Sequence, residues 1–383
     1  MFRCAVLSAA VAVAVAVDPE WEDFKVKFKR HFVCDADEQD RHKRFSESQV
    51  RVAKLNALNG AHPAFGINWM SDRFPEEKHK TGLKRPAGFV PTAQVREFAA
   101  PPRSPASIDW RLTEAVTPIK NQGQCGSCWA FSAAEAVESQ LILSTGGQSD
   151  IELSPQQITS CTTTSDGCQG GFTEGAYEYL TTVAGLANSF FIPYEQSLTE
   201  STATMACPTG KVAQINGTSE QLQGGYAAVS GYTYATPPCT AGDCKSQDLQ
   251  KLAAALEETP LSVCVNAGAW NDYTGGVLMS AACGSMGAAD QDHCVMAVGF
   301  NTTAPVPYWI VRNSWSSTWG EQGYVYLEMA ENTCGLADDA TIPTVKVDLS
   351  DQEAVKVATR KEAMYQRATQ GSSTQGSSNS IVV

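Results

Sequence analysis

Histidine is scarce in this chain of 383 residues and is unevenly distributed. Of five histidines, only His293 lies beyond residue 80. Zinc sites combine cysteines with closely spaced histidines or with a second Cys-x-x-Cys pair. Cys125 and Cys128 form one such pair, but no partner follows at zinc-like spacing. We therefore predict no metal and no cofactor, and we disfavour a metal-binding, cysteine-rich protein.

Basic residues are outnumbered, because 28 Lys and Arg stand against 41 Asp and Glu, for a net charge of −13. Phosphate binding needs clustered Lys and Arg, so we exclude nucleic acid as a partner. An acidic surface mainly indicates solubility. It fits a lysosomal, vacuolar or extracellular protein.

Long apolar segments are absent after residue 17. Residues 1–17 combine Arg3, an apolar run from Ala5 and the small-residue site Ala14-Val15-Ala16, which predicts a secretory signal peptide. The alternative, a membrane anchor, needs about 20 apolar residues. This run is shorter and is followed at once by Asp18. We expect no membrane association and a route through the secretory pathway.

Thirteen cysteines fit an oxidising compartment. Cys4 lies in the predicted signal peptide and Cys34 in the segment after it. The number of cysteines in the rest of the chain is odd, as expected if one thiol stays outside disulfides and takes part in chemistry. Cys128 follows a Gly-rich turn and begins an apolar helix-like stripe. A thiolate at a helix N-terminus is stabilised by the macrodipole, so we expect its pKa to fall below about 8.5. The stripe consists of Ala130, Phe131, Ala134, Val137, Leu141 and Leu143.

Two later strand-like runs present the groups that a thiol nucleophile needs. His293 precedes the apolar run 294–300, and the run 308–311 is followed by Asn313. Catalysis by a thiol also requires a base that accepts and donates protons, and a third group that orients this base.

These segments resemble the papain family of cysteine proteases between about Ala106 and about Val347. His293 lies farther after Cys128 than the about 130–150 residues typical of that family, which an insertion between two halves would explain. The resemblance rests on four motifs in order: Gln122 to Trp129 with its Cys-Gly-Ser-Cys-Trp, Cys168-Gln169-Gly170-Gly171, Asp292-His293 and Asn313-Ser314-Trp315.

The resemblance implies an α+β fold with an α-rich left half and a β-barrel-like right half, preceded by a helical prosegment. We expect the peptidase domain at 106–347, the prosegment at 18–105 and a C-terminal tail, flexible in character, at 348–383. The right half is expected to contain strands at Leu261–Val265, Cys294–Phe300, Tyr308–Val311 and Tyr324–Leu327.

The same resemblance implies roles for the catalytic residues. Cys128 attacks the scissile carbonyl, His293 forms the ion pair with it, and Asn313 orients the imidazole. Gln122 and the backbone N–H of Cys128 bind the oxyanion. No second histidine follows Cys128 to close the cleft as in the carboxy-dipeptidase type, so we favour an endopeptidase.

The resemblance also implies a pocket for the second residue upstream of the cut, formed by Phe172, Cys264, Cys294 and Asp339. With Asp339 at its floor, we expect this pocket to accept Arg or Lys as well as apolar residues; the alternative is that Asp338 and Asp339 both face solvent. Cys264 and Cys294 are either two wall residues or an extra disulfide. The further implied substrate contacts are Gly170, Gly171, Asp292 and Trp315.

The family pattern also implies the disulfides Cys125–Cys168, Cys161–Cys207 and Cys283–Cys334. Separately, we expect Cys239 and Cys244 to close a small local loop, and short patterns suggest glycosylation. Asn216 and Asn301 begin sequons. We expect a monomer that acts on proteins or peptides. A non-catalytic, peptide-binding homologue is the competing hypothesis, although such proteins normally lose the nucleophile.

The segment 18–105 resembles an inhibitory prosegment. An amphipathic helical hairpin without a known role is the alternative. Carboxylates in such a segment provide a pH trigger, because their protonation removes ion pairs. The matches to the family's prosegment are Asp37, Arg41, Phe45, Ser48, Val52 and Asn56, then Gly66, Asn68 and Asp72 with Met70 in place of an aromatic residue.

Overall fold

The structure, a computed structural model, describes residues 18–98, 105–147, 152–196, 203–209, 226–244 and 247–370. The predicted signal peptide, the sequon at Asn216 and the segment 371–383 lie outside these residues. Among the helices of the described part, none is long and apolar enough to cross a membrane.

The N-terminal segment, residues 18–98, has its own small core. Trp21, Phe24 and Phe45 are buried together where two helices cross, because the aromatic residues recur at helical spacing. The helices are α1 (Pro19–Lys27) and α2 (Asp35–Asn59).

The helical half of the body is built around one buried helix that begins at the candidate nucleophile. Its residues are mainly small or apolar, so it can be surrounded on most sides. It ends at Gly146, whose φ of 64° lies in the left-handed region that glycine adopts readily. The helices of this half are α3 (Cys128–Thr145), α4 (Pro155–Cys161) and α5 (Thr173–Thr181).

The described strands form one connected sheet in the order β2-β3-β9-β4-β6-β7-β8-β5, with β1 paired to β6. Its pairs are antiparallel except β5 with β8. The strands are β1 (Ser107–Asp109), β2 (Leu186–Ala187), β3 (Tyr226–Tyr234), β4 (Leu261–Val265), β5 (Val277–Leu278), β6 (His293–Asn301), β7 (Tyr308–Arg312), β8 (Tyr324–Glu328) and β9 (Ala340–Lys346).

The four predicted strands correspond to β4, β6, β7 and β8, and α3 packs against β6 and β9. The predicted α+β class is confirmed. Two short helices complete the body, α6 (Leu249–Glu258) and α7 (Ser280–Cys283).

The prediction of a flexible tail is wrong for residues 351–370. They form a helix, α8 (Asp351–Gln370), that packs against α3 and β1. Met364 and Ala368 are buried because they lie one turn apart on the face toward the body. Arg367 also pairs with Glu114. The charged composition pointed to a helix, but this narrow apolar stripe was missed.

Candidate active site

Cys128 is the first residue of α3 and is fully buried. The turn before it is fixed by the disulfide Cys125–Cys168, whose Cα atoms are 4.6 Å apart. Among the described residues Cys128 is the free cysteine. The turn therefore places one unbridged thiol at a helix N-terminus.

His293 begins β6, and Asn313 directly follows the adjacent strand β7. This antiparallel pairing brings the imidazole Nε2 within 2.8 Å of the Asn313 Oδ1. The ring centroid of Trp315 lies 4.9 Å from that of His293. His293 Nδ1 is buried and has no hydrogen-bond partner in the described part of the chain. Asn313 and Trp315 thus fix the ring while one nitrogen stays available.

Both reactive groups lie beneath the N-terminal segment, and this burial determines their protonation. Desolvation raises the pKa of Cys128 to about 12, outweighing hydrogen bonds from backbone groups that favour the thiolate. Desolvation also lowers the pKa of His293 to about 4, although the bond to Asn313 opposes it. Burial by the N-terminal segment therefore opposes the lowering of the thiol pKa that the helix N-terminus favours. In this covered state, burial favours the neutral forms of both the Cys128 thiol and the His293 imidazole.

Gln122 is engaged by the N-terminal segment. Its Nε2 donates to the carbonyl oxygen of Lys80 at 2.7 Å and to that of Cys125 at 2.9 Å. Its Oε1 accepts from the Ser314 hydroxyl at 2.7 Å. A carbonyl of the N-terminal segment thus occupies the side-chain donor that the sequence assigns to an oxyanion.

The N-terminal segment crosses the cleft as an extended chain next to Cys128. The Gly82 carbonyl accepts from the Gly171 N–H at 2.9 Å, and the Gly82 and Leu83 N–H groups both donate to the Asp292 carbonyl at 2.9 Å. A Cβ on Gly82 would overlap the carbonyl of Gly126. Close approach to the nucleophile's turn therefore requires glycine at residue 82.

His79 contacts the catalytic region, although the sequence pattern did not single it out. Its ring stacks on Trp315 with centroids 5.5 Å apart and an interplanar angle of 8°. Its Nδ1 lies 3.2 Å from the Gly123 carbonyl. Burial lowers the pKa of His79 to about 4, so the ring is neutral at pH 7.

The predicted pocket residues come together around another residue of the N-terminal segment. Arg85 forms an ion pair with Asp339, and Phe89 contacts Phe172 edge to face with centroids 5.2 Å apart. Asp338 and Asp339 are both buried, so the solvent-facing alternative is wrong. In this structure the pocket is therefore occupied by a cationic side chain of the same chain, Arg85.

Cys264 and Cys294 form a disulfide between β4 and β6, with Cα atoms 4.0 Å apart. This resolves the alternative that the sequence left open. Gly170 has a φ of 118° and lies against Lys84. The other disulfides in the described residues are the implied ones, Cys161–Cys207, Cys239–Cys244 and Cys283–Cys334.

Sequence reasoning missed Glu174, Arg85, His79 and Gly82. Glu174 lies in the first turn of α5, where an acidic residue is ordinary helix chemistry. The other three belong to a stretch without periodic pattern. Only the contact across the cleft identifies them.

The α+β fold thus holds a buried thiol, an imidazole fixed by an amide, and a second amide that donates to the turn before the thiol. These features define the site of a cysteine peptidase. Residues 104–344 match the model described as papain family cysteine protease. The chain therefore belongs to the papain family, as its motifs predict.

Relatives and a solved structure agree with this assignment. A cysteine proteinase of Trypanosoma brucei brucei is 32% identical over 84% of this chain, which spans 66% of that protein. Digestive cysteine proteinase 1 of Homarus americanus is 31% identical, covering 86% of this chain and 96% of that protein. The digestive procathepsin L2 proteinase of Tenebrio molitor larval midgut superposes with a TM-score of 0.69 at 30% identity, covering 85% of this chain and 98% of that one.

Proposed function

We propose that this chain is the self-inhibited precursor of a cysteine endopeptidase. Residues 1–17 direct it into the secretory pathway, toward a lysosome, a vacuole or the cell exterior. Residues 18–105 are the prosegment, and residues 106–347 are the peptidase. The observation that carries the proposal is the passage of residues 79–85 across the cleft, with Gly82 against the Cys128 turn.

Catalysis follows from the side chains once the prosegment leaves. Solvent then reaches Cys128 and His293, which allows the thiolate–imidazolium pair to form. The thiolate adds to the scissile carbonyl, and Gln122 with the Cys128 N–H stabilises the oxyanion. The C–N bond breaks as His293 protonates the leaving amine, and Asn313 keeps the ring oriented. Water then hydrolyses the thioester.

Contacts outside the cleft support docking of the prosegment. Arg51 Nη2 donates to Asp272 Oδ1 at 2.9 Å, and Asn68 Nδ2 donates to the Asn271 carbonyl at 2.7 Å. The Gly66 N–H donates to the Asp272 carbonyl at 2.9 Å. Two motif residues predicted in the prosegment region, Gly66 and Asn68, thus contact the body directly.

The substrates are proteins or peptides. The pocket around Asp339 takes a basic or an apolar residue two positions upstream of the cut. Gly171 and Asp292 offer backbone hydrogen bonds to an extended chain, the kind that they now make with Gly82. The enzyme needs no cofactor and acts as a monomer.

The experiment is acid activation of the purified proprotein, followed by hydrolysis of Phe-Arg and Arg-Arg fluorogenic peptides with and without a thiol-directed epoxide. We expect epoxide-sensitive activity to appear as the prosegment is lost. Cys128→Ala should fold, shown by an unfolding midpoint near that of the wild type, and should be inactive. Processed protein with a free Cys128 and no hydrolysis would instead indicate a peptide-binding homologue.

A further inference from the structure

The pocket that holds Arg85 contains two carboxylates. Asp339 precedes β9, and Glu174 lies in the first turn of α5. Their side chains are 2% and 1% exposed. Both belong to the body, whereas Arg85 comes from the N-terminal segment. A cation from outside the body is thus inserted between two buried carboxyl groups.

The two carboxylates face different nitrogen atoms of one guanidinium. Arg85 Nη2 donates to Asp339 Oδ2, while Arg85 Nε lies 3.8 Å from Glu174 Oε1. A guanidinium presents several N–H donors in a planar fork, whereas an ammonium is a point charge on one nitrogen. A lysine that reaches Asp339 has no second nitrogen for Glu174.

Glu174 is held in place by its neighbours. The Tyr234 hydroxyl donates to Glu174 Oε1 at 3.0 Å, and the Thr173 hydroxyl donates to Oε2 at 3.3 Å. Tyr234 and Thr173 are themselves fully buried. A carboxylate positioned in this way loses little freedom when a ligand binds, which favours affinity.

Two polar atoms in the pocket could form further hydrogen bonds. Asp339 Oδ1 and Arg85 Nε are buried without a hydrogen-bond partner in the described part of the chain. Leaving buried polar atoms unpaired is unfavourable, so a guanidinium that pairs with both carboxylates is favoured over one that pairs with Asp339 alone.

We propose that Glu174 is a specificity-determining residue that, together with Asp339, selects a guanidinium over an ammonium at the second residue upstream of the cut. Arginine is therefore preferred to lysine at that position. Arg85 is the internal occupant of the same pocket. The inference rests on the proposed function for the pocket's role in substrate binding.

The first test uses the acid-activated enzyme and three peptides that differ only in that position, Arg-Arg, Lys-Arg and Phe-Arg. We expect kcat/KM for Arg-Arg to exceed that for Lys-Arg about tenfold, and Glu174→Gln to reduce this ratio to near one. The matched control is Glu178→Gln, an exposed residue on the same helix. A ratio that Glu174→Gln leaves at its wild-type value overturns the proposal.

The second test needs no catalysis and therefore separates this inference from the proposed function. In the full chain carrying Cys128→Ala, we would measure unfolding for Arg85→Lys, Glu174→Gln and the double variant. We expect Arg85→Lys to destabilise the parent chain but to have much less effect with Glu174→Gln, a coupling of about tenfold in the unfolding equilibrium. Additive effects overturn the proposal even if the enzyme proves active. Absence of hydrolysis together with this coupling would refute the proposed function alone.

Discussion

Gln122 is the residue for which the structure and the proposed mechanism assign different partners to the same side-chain amide. In this structure its amide donates to the Lys80 carbonyl, and Ser314 fixes its oxygen. In the proposed mechanism the same amide donates to the oxyanion that develops on the substrate. Such preorganised donors are worth most in a water-excluded site.

Replacing Gln122 by alanine should therefore lower kcat of the activated enzyme by about 10²–10³. The measurement is steady-state hydrolysis of the Phe-Arg peptide after titration of active thiols. Gln124→Ala, on the same turn but without this role, is the control. Equal kinetic losses in the two variants would contradict the assignment of the oxyanion donor.

Gly82 is the residue at which the N-terminal segment comes nearest to the nucleophile's turn. Alanine at this position would overlap the Gly126 carbonyl, so the segment must shift away. We expect a cost of about 1–3 kcal/mol in docking. Acid activation should therefore proceed about five- to hundredfold faster, as followed by the appearance of Phe-Arg hydrolysis at fixed pH. Val90→Ala at an exposed site of the segment is the control, and an unaltered rate in Gly82→Ala would rule out this steric account.

At the scale of the element, α8 behaves as part of the body. Met364 is 1% exposed and lies near Gly147, at the end of α3. Removal of a buried methionine side chain leaves a cavity. Met364→Ala should lower the free energy of unfolding by about 2–5 kcal/mol, measured by denaturant titration in the Cys128→Ala background.

The control for α8 is Lys361→Ala, at an exposed position of the same helix. It should alter the free energy of unfolding by no more than about 0.5 kcal/mol. If Met364→Ala is equally mild, α8 contributes little to the stability of the body.

At the scale of the whole molecule, we expect ion pairs within the N-terminal segment to make its docking depend on pH. Arg41 donates to both carboxylate oxygens of Glu77, at 2.8 and 2.7 Å. Burial opposes the charged form of Glu77, but the bonds from Arg41 outweigh it and lower the pKa of Glu77. The stabilisation is complete above the ordinary pKa of a glutamate and is lost as the pH falls through the lowered value.

Glu77→Gln removes this charge at every pH. The segment should then detach more readily, and acid activation should begin at a higher pH than in the wild type. The measurement is the pH at which half of the proprotein is processed in a fixed time. Asp40→Asn, at an exposed site of α2, is the control. The same onset pH in Glu77→Gln and wild type would show that this pair does not hold the segment.

From the sequence alone we could predict the candidate catalytic residues, the helix that begins at Cys128 and the strands next to His293 and Asn313. These are local properties, because short motifs and apolar periodicity lie within one stretch of chain. The pairing of β6 with β7 brings His293 and Asn313 together, and the contact between these two residues was expected only from the resemblance to the papain family.

The residues that fill the cleft, and the environment of the groups that they cover, become evident only from contacts in the folded chain. Gly82 and Arg85 belong to a stretch without periodicity, and Glu174 resembles an ordinary helix residue until Arg85 is placed beside it. Burial by a distant segment likewise raises the pKa of Cys128, in the direction opposite to that expected from the helix N-terminus. Contacts between residues far apart in the chain, and the desolvation that they cause, have no local signature in the sequence.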